Sequence, residues 1–179
     1  MSRIIVIGVG NILFLDEGVG VYAAAYLDAN YSFSPPIEII DGGTLGVRLS
    51  EYFLAYDDVI ICDTVSIDDK AGSVYALNDE ALSGLGKTAQ SVHEIEITQM
   101  LETCKMAGKC ADVGIVGVVP EDIETVAFGL SRHLKDAFPQ MIETIISLLE
   151  TKGITVQKGG KSTPLSEIIA GYTTATAPR

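Results

Sequence analysis

The sequence is poor in residues on which several protein classes depend. Its 179 residues include three cysteines, Cys62, Cys104 and Cys110. An odd, small number argues against a disulfide framework. Cys104 and Cys110 flank "KMAGK" but have no close Cys or His partners of the kind a metal site needs. Basic residues are also scarce: 12 Lys and Arg stand against 24 Asp and Glu, a formal net charge of −12. Phosphate groups are bound by clustered Lys and Arg, so nucleic acid and anionic membranes are disfavoured as partners. A cationic metal or a basic partner is permitted. No apolar run reaches the ~18 residues of a membrane span. The opening "MSRIIVIGVG" runs into glycines and then carboxylates, so it reads as a buried strand and not as a signal peptide. One domain, a reducing cytoplasmic location and a monomer are the expectations.

Catalytic signatures are missing too. "HEIEI" (93–97) lacks the second His of an H-E-x-x-H zinc protease. No Ser–His–Asp arrangement is evident, and Cys62 lies in an apolar run, so a nucleophilic mechanism is discounted. The loop "GVGNILFLDEGVG" (8–20) resembles a dinucleotide fingerprint only in its first two glycines. The third, needed for close helix–strand packing, is absent. Asp16 and Glu17 would repel a pyrophosphate by about 1 to 4 kcal/mol per close charge pair.

What is present is an alternation of strand and helix. "RIIVIGV" (3–9), "DVIICDTV" (58–65) and "DVGIVGVVP" (112–120) are continuous β-branched runs, typical of buried parallel strands. "IEII" (37–40) and "GSVYAL" (72–77) read as further strands, and "GITV" (153–156) as an edge strand. Helical patterns lie at 17–30, 45–56, 91–108 and 131–151, with Pro139 expected in the first turn of a second segment of the last. Ser91 and Glu94 form a capping box, which makes Ser91 the expected N-cap. The expected fold is an α/β three-layer sandwich with a mainly parallel five-stranded sheet and helices on both faces. Residues 1–157 are expected to form a single domain. Residues 158–179, rich in Gly, Ser and Thr, read as a flexible C-terminal tail with at most one docked turn.

In such sheets ligands bind beyond the carboxyl ends of the strands. Asn11, Asp16 and Glu17 follow the first strand, Asp41 the second and Asp63 the third; His93 falls in a first helical turn. Each also has a plain structural reading. Asp16 is placed to cap the first helix, with Glu17 in its first turn. Asp41 and Thr44 can make a turn. Asp63 is different, because a carboxylate in an apolar strand must be paired or bound to a cation. His93 at a helix start is favoured as the neutral imidazole a metal requires.

The ordered set "IGVGNILFLDEGVGV", "IEIIDGGT", "VIICDTV", a His at 93 and "VGIVGVVPEDIE" resembles the hydrogenase maturation endopeptidases over roughly residues 3 to 150. The resemblance implies removal of a short C-terminal extension from the large-subunit precursor of a nickel–iron hydrogenase. It implies metal binding by Glu17, Asp63 and His93, with the nickel supplied by the precursor and no other cofactor. Asp41 is a further suspected functional residue of this aspartyl-type endopeptidase, and two routes stay open: the metal polarises the scissile carbonyl or activates a bound water, or it only anchors the substrate while Asp41 or Asp16 acts as general base. The competing readings are a nonenzymatic metal-binding or carrier module and, less favoured, a nucleotide-binding domain.

Overall fold

The computed structural model describes residues 2–44, 46–78, 81, 92–106, 108 and 110–175. The capping box at Ser91 and most of the expected loop at 78–90 lie outside the described residues. The three apolar runs become β1 (Ile4–Val9), β4 (Asp58–Thr64) and β6 (Asp112–Val118), separated in the chain by β2 (Tyr31–Ser34), β3 (Glu38–Gly43) and β5 (Val74–Asn78). The main sheet has five strands in the order β3-β1-β4-β6-β5. All neighbours are parallel except β5, which pairs antiparallel with β6. The mainly parallel five-stranded sheet of the sequence reading is thus observed.

Residues buried on both sides of the central strands explain the continuous apolar runs. Alternate side chains serve two clusters. Ile4 and Val6 of β1 and Ile60 and Cys62 of β4 pack with α1 (Val19–Asn30) and with the long helix Arg132–Thr151. Ile5 and Ile7 of β1 and Val59 and Ile61 of β4 pack on the other face. There they meet Phe53 of α2 (Ser50–Ala55) and Ile97, Met100, Leu101 and Cys104 of α3 (Val92–Met106).

The long helix is α4 (Arg132–Thr151), and it corrects one expectation: Pro139 lies inside it and starts no second segment. An interior proline costs about 3 kcal/mol. The stripe Leu134, Phe138, Met141, Ile142, Ile145 and Leu149, all buried, holds the helix through that break. Residues beyond 153 also differ from expectation. The strand there is β7 (Thr155–Lys158), and it leaves the main sheet to pair antiparallel with β2. Within the expected tail, α5 (Leu165–Ala175) forms a regular helix. Its Leu165, Ile168, Ile169 and Tyr172, at i, i+3, i+4 and i+7, pack against the α1–α4 cluster. Asn30 clips the approach to α5. Its side-chain amide donates to the Thr163 carbonyl at 3.0 Å and its Oδ1 accepts the Thr163 N–H at 2.6 Å.

Among the described residues, no helix is long and apolar enough to cross a membrane.

Candidate active site

The chain leaves β1 through α1 to reach β3 on one side, then returns through α2 to β4 on the other. The carboxyl end of β1 is therefore the point where strand order reverses, and it opens a crevice there. Three segments meet at this rim: the loop after β1, the "DGGT" end of β3, where Asp41–Gly43 are strand and only Thr44 is turn, and the end of β4.

Two glycines allow that convergence. A Cβ on Gly20 would stand 2.0 Å from the Cys62 carbonyl oxygen and 2.4 Å from that of Val9, so only glycine lets α1 start this close to the sheet. Gly10 has φ +135°, and a Cβ there would meet the Glu17 carbonyl oxygen at 1.8 Å. Its N–H donates to the Gly43 carbonyl at 2.9 Å, which ties the first loop to the "DGGT" segment. The result is a groove of about 290 Å³ whose lining includes Gly10, Asn11, Leu13, Asp41, Gly43 and Thr44. The lining also includes Ile12 and Val21, so the groove joins glycine positions at Gly10 and Gly43 to an apolar wall, which suits an extended peptide with apolar side chains.

Asp41 lies at the end of β3 with its side chain exposed to this groove. Its Oδ1 accepts the Gly43 N–H at 2.9 Å, and its Oδ2 accepts the Tyr172 hydroxyl of α5 at 3.2 Å. Asp41 pairs in register with Gly8, which pairs with Cys62, so it faces the α1–α4 side of the sheet.

Asp63 is one residue beyond Cys62 and faces the opposite side, that of α2 and α3. It is 2% exposed, and its Oδ1 accepts the N–H of Thr64 at 2.7 Å. Glu17 is half-buried in a 3-10 turn, Leu15–Gly18, that packs against β4. His93 falls in the first turn of α3, which leads into β6 after residues 107–111. Because β6 runs parallel to β4, the start of α3 belongs at the carboxyl rim, on the face Asp63 occupies. The His93 side chain lies outside the described residues. Among those described, no three His, Cys, Asp or Glu side chains form a group that could hold a metal ion. Two carboxylates and an imidazole would be a borderline donor set that suits a divalent transition metal.

Asp16 differs from expectation. It does not cap the first helix: Phe14 and Gly18 hold the cap positions of the 3-10 turn and of α1, and neither makes a side-chain cap. It is fully buried. Its Oδ2 accepts the N–H groups of Glu121 and Asp122 at 2.9 and 3.0 Å, and its Oδ1 that of Ser131 at 2.6 Å. Three backbone donors give Asp16 a structural task, fastening residues 121–131 to the first loop. Ser131 in turn caps α4, accepting from the Leu134 N–H at 3.3 Å.

Two further groups are set apart from the groove. Burial, with the Asp63 charge second, pushes the Cys62 thiol far up, so it is not a thiolate nucleophile. His133, exposed at the start of α4, sits 2.8 Å from Glu121 and holds that carboxyl below its usual range, chiefly through their hydrogen bond. Sequence reasoning missed Tyr172. The one available signal was the apolar spacing of α5, hidden among small and hydroxyl residues.

Comparison with known proteins agrees with this architecture. The family profile described as hydrogenase maturation protease matches residues 21–148. The hydrogenase 2 maturation protease of Escherichia coli is 32% identical over 154 residues, covering 85% of this chain and 93% of that relative. The hydrogenase expression/formation protein HupD of Bradyrhizobium diazoefficiens is 29% identical over 168 residues, covering 93% of this chain and 86% of its own. The solved hydrogenase maturating endopeptidase HybD from E. coli superposes with a TM-score of 0.79 at 31% identity, covering 87% of this chain and 97% of that one.

Proposed function

The chain belongs to the hydrogenase maturation protease family, and we propose that it removes the C-terminal extension from the large-subunit precursor of a nickel–iron hydrogenase. The observation that carries this reading is a groove lined by Gly10, Gly43 and the apolar Ile12, Leu13 and Val21, with an exposed carboxylate, Asp41, beside the turn that bears Glu17. The precursor's extended tail would lie along the Gly10–Leu13 and "DGGT" backbones. Nickel already inserted in the precursor is the cue, and it belongs to the substrate. Glu17, Asp63 and His93 are the side chains that would meet it. The bound metal would supply recognition, so that a precursor without nickel is not engaged.

Hydrolysis needs a base for the attacking water. We assign proton transfer to Asp41 and not to Asp16, whose oxygens already hold three backbone N–H groups. In this aspartyl-type scheme, Asp41 takes the proton of a water that adds to the scissile carbonyl, and the proton then passes to the leaving amine. Asp63 and Glu17 hold the substrate in register for that step. The acidity of the chain fits a cation-bearing partner; a cytoplasmic location and action as a monomer complete the proposal.

Glu17→Gln tests it directly. This variant should lose cleavage of nickel-loaded precursor by about 100-fold or more while its unfolding midpoint stays within about 2 °C of wild type. His93→Ala should impair metal-dependent engagement of the precursor, and His133→Ala should not. Trimming by Glu17→Gln at the wild-type rate would remove the metal-ligand role.

A further inference from the structure

We propose that Tyr172, on the C-terminal helix, is a positioning residue for Asp41, and that α5 is therefore a working part of the groove. The inference rests on the role given to Asp41 above and extends the site beyond residue 148, where the family match ends.

The geometry is specific. Asp41 has two hydrogen-bond partners on two different oxygens, the Gly43 N–H on Oδ1 and the Tyr172 hydroxyl on Oδ2. A carboxylate held by one donor can still swing about its Cβ–Cγ bond; one held on both oxygens has its plane set. The first donor is local, two residues away. The second arrives from 131 residues along the chain and is held independently. The Tyr172 ring meets the ring of Tyr22 edge-on, with centroids 5.6 Å apart and planes at 71°. Tyr22 is wholly buried in α1. Leu165, Ile168 and Ile169 seat the same face of α5 on the same cluster. Upstream, the Asn30 clip on Thr163 and the bond from the Gly159 N–H to the Asn30 carbonyl at 2.7 Å set where α5 begins.

The phenol is also suited to act as a donor. Burial first, then the charge of Asp41 and the hydrogen bond to it, push the Tyr172 hydroxyl up from its ordinary value, so it stays protonated at neutral pH. A pre-set base needs less reorganisation when water attacks, and this lowers the barrier to the chemical step more than it strengthens substrate binding. The hydroxyl should therefore act on kcat.

The test uses the full chain and nickel-loaded large-subunit precursor. Tyr172→Phe keeps the ring on Tyr22 and removes only the O–H. It should lower kcat about tenfold with KM changed less than about twofold, and leave the unfolding midpoint within about 2 °C. Asp41→Asn should lose cleavage, and adding Tyr172→Phe to it should cost nothing more. Wild-type kcat in Tyr172→Phe, or an effect on KM alone, overturns the positioning role while Asp41→Asn remains inactive. Full cleavage by Asp41→Asn overturns the reading of the groove itself, and with it the inference.

Discussion

Asp16 and Asp41 stand at the same end of the same sheet, yet their surroundings differ in each respect that matters for chemistry. Asp16 is sealed, and its two oxygens hold three backbone N–H groups from residues 121, 122 and 131. Asp41 is exposed to a groove, with one N–H and one hydroxyl on it. A buried carboxylate saturated by rigid donors stabilises a loop but has little capacity to take a proton from a substrate water. One at a groove wall can do so. The amino end of the sheet handles its carboxylates in a third way: Lys152 bridges Asp58 of β4 and Asp112 of β6, the latter at 2.8 Å. One end of the sheet is pinned by a side-chain cation, the other by backbone amides that leave room for a ligand.

The sharpest way to break the contrast is to remove each carboxylate and measure stability. Asp16→Ala empties a fully buried position and strips the acceptor from three part-buried N–H groups, and should cost about 3 to 5 kcal/mol in urea unfolding. Asp41→Ala should cost less than about 1 kcal/mol, since water replaces its partners. Equal losses would mean that the two sites are not divided into anchor and groove.

Next in size is Asn30→Ala. It strips the hydrogen bonds to both backbone groups of Thr163 and should cost about 2 to 3 kcal/mol. Hydrogen exchange should then lose protection in α5 while β4 keeps it. Loss spread evenly over both would show that α5 is not a separate docked unit.

The smallest effect belongs to the amino end. Lys152→Met leaves Asp58, whose side chain is 15% exposed, without its cation and should cost about 1 to 2 kcal/mol at neutral pH. Burial alone would lower the Lys152 ammonium, but the hydrogen bonds to Asp112 and Asp58 and their charges outweigh it and raise it. A group raised on folding stabilises below its unfolded value, and that contribution disappears as pH climbs through the folded one. The difference between Lys152→Met and wild type should therefore persist from neutral pH into mild alkali and shrink only in strong alkali on that side. A gap that closes between pH 7 and about 9 would rule out this ion pair as its source.

Much of this was legible beforehand, and the reasons are particular. β1, β4 and β6 are buried on both faces, so their sequences are unbroken apolar runs that need no partner to be recognised. Glu17, Asp41 and Asp63 could be placed at one rim beforehand because the carboxyl ends of parallel strands lie together. What failed were segments whose structure is supplied from a distance. α5 has its apolar residues at helical spacing, but Gly171, Thr173 and Thr174 give it little helix propensity of its own. It forms because α1 and α4 offer it a surface. β2, "YSFS", is too short to declare itself and exists by pairing with β7. Pro139 marked a boundary that the buried stripe of α4 overrides.

By itself the sequence determined the layered α/β fold and which acidic residues follow its strand ends, because periodicity and strand order are properties of the chain alone. Only the tertiary structure decided which carboxylate is an anchor and which is open, and which tyrosine stands over it. Those distinctions depend on donors more than a hundred residues away, and no local pattern carries that information.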